Sequence, residues 1–139
     1  MKEPSSCNCL NLRRAALRMT KLYDKYLTPS GLTVTQFALM NHLFQHGPMS
    51  SVSELASLMR LDRTTIARNL RPLERAGIIA DASIPGTRSR ELKLTQSGAA
   101  RCKEAVKLWE DAQRSIEDTI GQENIQRLTE LLSAIENFE

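Results

Sequence analysis

One stretch of the chain, RLDRTTIARNLRPLERAG at residues 60–77, restricts the fold more than any other. Its spacing predicts a helix, because at about 100° per residue Ile66, Leu70 and Leu73 fall within about 60° of one another. The opposite face is polar and mostly cationic, and it carries Thr64, Arg68, Arg71 and Arg75. Such a helix has to pack its apolar stripe against a core while its charges stay in water. The segment therefore predicts a surface helix of a larger helical domain.

The rest of the chain keeps a helical periodicity except at one point. We predict first three helices: one that ends at Pro29-Ser30-Gly31, a second from Thr33 to His46 and a short third that begins at Ser51. The helix at 62–77 follows, with Asp62 as its N-cap and Gly77 at its end. Two short strands come next, Ile78-Ile79 and Leu92-Lys93-Leu94, joined through a Pro85-Gly86 turn, and then a long helix from Thr95 to Gly121 and a last helix. We expect Phe44 and Leu58 to join the apolar faces of their helices. Two short helices followed by a hairpin indicate a winged helix-turn-helix, and the alternative is an α-rich domain with an incidental hairpin.

Fixed positive charge is concentrated in the middle of the chain. Residues 1–100 carry fourteen Lys or Arg against seven Asp or Glu, whereas residues 101–139 carry five against nine. All seven cations from Arg60 to Arg90 are arginines, whose planar guanidinium binds phosphate and guanine with paired hydrogen bonds. The pattern predicts a nucleic-acid interface whose candidate contacts from this helix are Arg63, Thr64, Thr65, Arg68, Asn69 and Arg71.

Pro72 lies inside the predicted helix, on its solvent side beside the cationic face. Proline lacks the amide that would bond to the carbonyl of Arg68, so it bends or loosens a helix at this point. Two interpretations stay open. Either a bend lets the first two turns enter a groove while the last turn remains packed, or tertiary packing tolerates the proline, whose cost is about 3 kcal/mol.

Four short motifs occur in a fixed order along the chain. They are Leu32-Thr33-Val34-Thr35-Gln36, Glu54-Leu55-Ala56, Leu73-Glu74-Arg75-Ala76-Gly77-Ile78 and Leu94-Thr95-Gln96-Ser97-Gly98. In this order and spacing, they make the chain resemble the MarR family of bacterial transcriptional regulators over nearly its whole length. The resemblance implies a mostly α fold in a single domain, residues 1–139. It places a winged helix-turn-helix at about 33–97, and N- and C-terminal dimerisation helices at about 8–30 and 98–139.

The resemblance also implies how the protein acts. It predicts a homodimer whose two recognition helices read half-sites of a pseudo-palindromic operator in double-stranded DNA. Arg88 matches the wing arginine that enters the minor groove in the family, Arg90 shares this contact, and the family's wing aspartate is replaced by Gly86. By analogy, we expect a repressor that a small aromatic or phenolic effector releases from DNA. The effector would bind between the winged domain and the dimerisation helices.

The effector site has several candidate residues on the first helix. Arg13, Arg14 or Arg18 would hold a carboxylate of the ligand, with Tyr23 or Tyr26 beside it. The alternative is that these arginines only extend along the surface or pair with acidic residues of the last two helices.

Cysteine and histidine offer two other kinds of sensor. Cys7 and Cys9 begin the first helix near Arg13 and Arg14, where a thiol becomes reactive, and a peroxide-sensing branch of the family keeps a cysteine about where Cys9 stands. Thiol-based redox sensing is thus an alternative function, and inert thiols are the other interpretation. His42 and His46, spaced i, i+4, would suit a metal ion together with these cysteines, but we expect no bound metal and no cofactor.

Other classes of function are disfavoured by what the sequence lacks. It contains no recognisable catalytic motif, so we expect no enzymatic activity. A winged helix used only for protein–protein contact would need an exposed apolar patch, which residues 63–75 do not offer. No apolar run approaches the roughly 18 residues of a membrane span, and the first residues lack a signal-peptide pattern. We therefore expect a cytoplasmic protein with no membrane partner.

Overall fold

The fold is an α-helical domain with a short hairpin, and the computed structural model describes residues 1–87 and 90–139 of it. Its elements are, in chain order, α1 (Asn8–Leu27), α2 (Val34–His46), α3 (Val52–Met59), α4 (Arg63–Arg75), β1 (Ile79–Asp81), β2 (Leu92–Leu94), α5 (Gln96–Ile120) and α6 (Gln122–Glu136), with a 3₁₀ turn at Thr28–Ser30 after α1. The predicted order of elements is confirmed, and so is the mostly α winged helix-turn-helix fold.

Helices α1 to α5 each begin after a residue whose side chain accepts from a free backbone amide, whereas α6 begins after Gly121 without such a cap. Thr33 and Gln36 form a reciprocal capping box at α2, with distances of 3.2 and 3.0 Å between the paired atoms. Thr95 caps α5, where its hydroxyl oxygen accepts from the amide of Gly98 at 3.0 Å. The cap of α1 is Cys7, whose thiol sulfur accepts from the amide of Leu10 at 3.5 Å. This last cap was not predicted.

The hairpin pairs antiparallel, with Ile79 opposite Leu94 and Asp81 opposite Leu92. The sequence predicts a first strand that begins at Ile78, but in the structure this strand begins at Ile79. The backbone of Ile78 is used elsewhere: its amide donates to the carbonyl of Leu73 at the end of α4, and its carbonyl accepts from the amide of Thr95. Residue 78 thus joins α4 to the start of α5.

The core lies where α2, α3, α4, the hairpin and parts of α1 and α5 meet. Two core expectations are wrong. Phe44 is 46% exposed, because Leu43 takes the buried position in the last turn of α2. Leu58 is 55% exposed, because the buried face of α3 is formed by Leu55 and Ala56.

An apolar surface on α1, α5 and α6 is left uncovered by the chain itself. No residue of α6 is buried. The exposed side chains are Leu10, Leu12, Leu17, Ile120, Leu128, Leu131, Leu132 and Ile135, with Phe138 just after α6. An exposed apolar surface of this extent indicates a binding surface, as expected for dimerisation helices. Among the residues that the structure describes, no helix is long and apolar enough to cross a bilayer.

The close approach of α5 to residue 78 yields a stability prediction. A Cβ added to Gly98 would overlap the carbonyl oxygen of Ile78. That carbonyl also accepts from Thr95, so it cannot move without loss of a hydrogen bond. We expect Gly98→Ala to lower the free energy of unfolding by about 1–3 kcal/mol. Ser97→Ala, at an exposed neighbour, is the control and should change it by less than about 0.5 kcal/mol. Denaturant unfolding of all three proteins at equal concentration measures this, and equal stability of both variants would contradict it.

Candidate nucleic-acid interface

Helix α4 has the two faces that its spacing predicts. Ile66, Leu70 and Leu73 are 0%, 2% and 2% exposed and belong to the core. The exposed residues on the other side are Arg63, Thr64, Arg68, Arg71, Pro72 and Arg75. Four of these six residues are arginines and none is acidic, so all the charge on this outward face of α4 is positive. Burial of the apolar stripe forces these arginines into solvent together.

The first turn of α4 is held by its N-cap. The Asp62 carboxylate accepts from the amide of Thr65 at 2.7 Å and from the Thr65 hydroxyl at 2.8 Å. These hydrogen bonds hold the pKa of Asp62 below its ordinary value, so the cap is fully ionised at neutral pH. The side-chain amide of Asn69 donates to the carbonyl of Thr65 at 2.8 Å. Thr65 and Asn69 are half-buried and have polar atoms that form hydrogen bonds within the helix region.

Pro72 does not end α4. The helix continues to Arg75, and the amide of Ala76 donates to the carbonyl of Pro72 at 3.0 Å. The ring is exposed, as predicted, and together with Val52 of α3 it lines a broad open groove between the two helices. Arg63, Arg68 and Arg71 line the same groove. Pro72 therefore adds an apolar wall beside the cationic face.

The wing is the loop between β1 and β2, and its base carries Arg90. The predicted contact Arg88 lies outside the residues that the structure describes. Arg90 donates from Nε to a carboxylate oxygen of Asp81 at 3.1 Å and from Nη2 to Glu74 at 2.8 Å. Asp81 also accepts from the amides of Glu91 and Ser83, both at 3.0 Å. These hydrogen bonds, the one from Glu91 above all, hold the pKa of Asp81 well below its usual range.

The ion pairs of Arg90 were missed by sequence analysis. Glu74 and Arg90 are sixteen positions apart in the sequence, and they meet only because the hairpin returns beside the end of α4. No periodicity in the sequence covers such a separation. The one available signal was Asp81, an acidic residue at the end of a short strand, opposite a stretch that contains an arginine.

The predicted sensor residues do not form one site. Cys7 and Cys9 are exposed at the start of α1, and the third cysteine, Cys102, is buried, which raises the pKa of its thiol. Cys9 lines an apolar cleft with Ile135 of α6 and Phe138. Cys7 is the N-cap described above. The two exposed thiols are therefore accessible but have different surroundings.

The arginines and tyrosines of α1 are also separated. Arg13 and Arg14 are exposed, and Arg14 lines a pocket with residues 2–4. Arg18 lines both this pocket and a mostly apolar cleft of about 300 Å³ between α1 and α5. The Tyr23 hydroxyl donates to the side-chain oxygen of Gln113 on α5. Burial and then the nearby Glu117 raise the pKa of Tyr23.

The two histidines of α2 lie close together. The rings of His42 and His46 lie 4.5 Å apart between centroids, and burial, followed by the neighbouring His46, lowers the pKa of His42. Within residues 1–87 and 90–139, no group of three His, Cys, Asp or Glu side chains is arranged to hold a metal ion. The cysteines of α1 therefore do not join these histidines.

Comparison with known proteins agrees with this geometry. The model of the MarR family matches residues 32–83, which span α2 to the wing. The transcriptional regulator MosR of M. tuberculosis is 32% identical, over 96% of this chain and 98% of that one, with a TM-score of 0.80. The structure of MosR in complex with DNA is 34% identical, covering 94% of this chain and 97% of that one, with a TM-score of 0.78.

A more distant structure has the same fold. The transcriptional repressor CouR, solved bound to p-coumaroyl-CoA, is 24% identical over 96% of this chain and 94% of that one, with a TM-score of 0.84. Identity to MosR above 30% over nearly the full length of both chains, together with the family match, establishes the relationship. The chain belongs to the MarR family of transcriptional regulators.

Proposed function

We propose that this DNA-binding regulator is a homodimeric repressor, which holds a pseudo-palindromic operator through α4 and the wing until a small aromatic or phenolic effector releases it. The observation that carries the proposal is the outward face of α4, where exposed arginines stand directly opposite the buried Ile66, Leu70 and Leu73. Proteins of the MarR family are regulators and not enzymes, so no catalytic role is proposed. We infer a cytoplasmic location, since the proposed partner is chromosomal DNA.

The recognition step follows from the chemistry of this face. A helix that presents arginine side chains along one side fits the major groove, where guanidinium groups reach guanine edges and phosphates. We propose Arg63, Thr64, Arg68 and Arg71 as the principal contacts from α4, with Arg88 entering the minor groove from the wing. Thr65 and Asn69 already bond within the helix. Their contacts with DNA would use the remaining polar atoms, and we expect them to contribute less.

Two copies of the chain are needed to read both half-sites. The uncovered apolar surface of α1, α5 and α6 supports a dimer formed by these helices, because burial of such a surface drives association. A two-fold axis through the dimer would place the two α4 helices about one turn of DNA apart, roughly 34 Å. This arrangement requires a palindromic operator.

The cleft between α1 and α5 is the best candidate for the effector. Met19 and Leu22 of α1 and Ile116 of α5 give it apolar walls, and Arg18 adds a cation that suits a carboxylate. This place differs from the one that the resemblance implies, between the winged domain and the dimerisation helices. The cleft lies between two dimerisation helices, so a ligand there would act on the geometry of the dimer. The structure makes Tyr23 a weaker candidate for an effector contact than the sequence suggests, because its hydroxyl already donates to Gln113. That CouR was solved with p-coumaroyl-CoA supports a ligand with a phenolic ring.

Thiol sensing is the second candidate function, favoured by the position of Cys7 as N-cap of α1. A hydroperoxide would oxidise one exposed thiol to sulfenic acid and would itself be reduced to the alcohol. Attack by the second thiol would then form a disulfide and release water. Oxidation of Cys7 would remove the acceptor of the Leu10 amide and loosen the first turn of a dimerisation helix.

DNA contact by the arginines predicts a loss of affinity on their removal. We expect Arg68→Ala and Arg88→Ala each to weaken binding to an operator duplex by about 1–3 kcal/mol, with the dimer still folded. The matched control is Arg127→Ala, which removes an exposed arginine of α6 and should bind like the wild type. Fluorescence anisotropy over a salt series measures these affinities, and the wild type should show a steep log–log loss with salt. Unchanged affinity in both variants would contradict the proposal.

The effector cleft predicts that Arg18→Ala binds operator normally but no longer responds to the ligand. The probes are aromatic carboxylates, beginning with 4-hydroxybenzoate and p-coumarate, titrated against the protein–DNA complex. Arg13→Ala, at an exposed position of the same helix, should still be released by whichever probe releases the wild type. The cleft is wrong as the effector site if Arg18→Ala is released at the same concentration as the wild type.

Thiol sensing predicts a reversible effect of oxidant. Hydroperoxide should weaken operator binding of the wild type at least tenfold, and dithiothreitol should restore it. We expect Cys7→Ser and Cys9→Ser to resist this loss, because neither can form the disulfide between the two exposed thiols and the remaining Cys102 is buried. If both variants lose binding to the same extent as the wild type, these thiols are not the sensor.

A further inference from the structure

Arg90 lies at the base of the wing and touches three separate parts of the DNA-binding unit. Its guanidinium joins Asp81, at the end of β1, to Glu74, in the last turn of α4. Its backbone amide donates to the carbonyl of Ser50 at 3.1 Å, in the segment that leads into α3. Each of the three side chains in the ion pairs is about one-third exposed. The wing, the recognition helix and the start of the helix-turn-helix thus meet at one residue.

Other bonds close the base of the wing around this point. Asp81 accepts from the amides of Ser83 and Glu91, and the amide of Ala82 donates to the carbonyl of Glu91 at 2.8 Å. Both strands of the loop are therefore tied at its base. The side chain of Arg90 connects the base of the wing to α4, because its Nη2 donates to Glu74.

We propose that Arg90 is a positioning residue that sets the wing relative to α4 through Glu74 and Asp81, and that it does not act by contacting DNA. The inference rests on the proposed DNA-binding function. Two reading elements bind one duplex with full effect only when their separation matches the grooves, so an element held in place is favoured over one that moves freely. Arginine suits this role, since its planar fork can bond two carboxylates at once, whereas a lysine ammonium is a point charge.

The alternative is that Arg90 contacts DNA directly and shares the minor-groove contact of Arg88, as the resemblance to the family implies. The two roles predict opposite signs for removal of the carboxylates. If Arg90 acts on DNA, Glu74→Gln and Asp81→Asn free its guanidinium and remove a negative charge that repels phosphate, so affinity rises. If Arg90 acts through its partners, the same variants release the wing and affinity falls.

The test measures binding of a 40-bp duplex, selected by the wild type from a randomised library, by fluorescence anisotropy. We expect Glu74→Gln and Asp81→Asn to weaken binding three- to tenfold, and Arg90→Lys not to restore the affinity that Arg90→Gln loses. The double variant Arg90→Gln with Glu74→Gln should bind within twofold of Arg90→Gln alone. The matched control is Glu91→Gln, which removes an exposed wing carboxylate outside the ion pairs and should bind as tightly as the wild type or more tightly. Tighter binding by Glu74→Gln and Asp81→Asn overturns the proposal.

A second measurement tests, in the absence of DNA, whether the ion pairs of Arg90 hold the wing in place. Hydrogen exchange of the amides of Ala82, Arg90 and Glu91 should accelerate at least fivefold in Arg90→Gln and Glu74→Gln, while amides of the core of α4 keep their rates. These ion pairs are only partly buried and lie outside the hydrophobic core, so we expect these variants to fold. Unchanged exchange in both variants overturns the proposal, whatever the DNA affinities are. Failure of the proposed function is a separate result, in which Arg68→Ala binds DNA like the wild type while the exchange rates still rise.

Discussion

The structure depends on the burial of one apolar stripe on α4. Ile66, Leu70 and Leu73 are almost completely withdrawn from water, and each contributes about 1.5–3 kcal/mol of hydrophobic stabilisation. A helix fixed by this stripe has no freedom to rotate, so the arginines on the other side must point outward. The cationic face is therefore a consequence of core packing. Its orientation is set by the interior, and no interaction among the arginines themselves is required.

A second set of interactions converts this helix into part of a larger surface. The carbonyl of Ile78 links the hairpin to α5, and the ion pairs of Arg90 link the hairpin to α4. The two links differ in kind. The first is a buried backbone contact against Gly98 that tolerates no side chain. The second is partly exposed, and so its geometry responds to a change of charge more readily than the core does.

The dimerisation helices differ from the winged domain in how much of their apolar surface the chain itself buries. Their apolar side chains are too numerous and too exposed to be stable in water alone, and α6 has no buried residue. The winged domain thus has a packed core of its own, whereas the apolar surface of these helices needs a partner to cover it. Sensor candidates lie at these helices: Cys7 caps α1, Cys9 faces α6, and Arg18 lines the α1–α5 cleft. A signal received there would change how two copies associate, and hence the spacing of their recognition helices.

Local patterns in the sequence determined the helices, their caps and the two faces of α4, because spacing and side-chain capping act over a few residues. They also indicated the family, since short motifs in a fixed order can be recognised from the sequence without any information on tertiary contacts. Only the tertiary structure decided that Arg90 is paired with Glu74. The same holds for Phe44, which has the right periodicity but lies in a turn where Leu43 takes the core position. The physical reason is range: burial and ion pairing depend on which distant segments fold back onto a residue, and no local pattern encodes that.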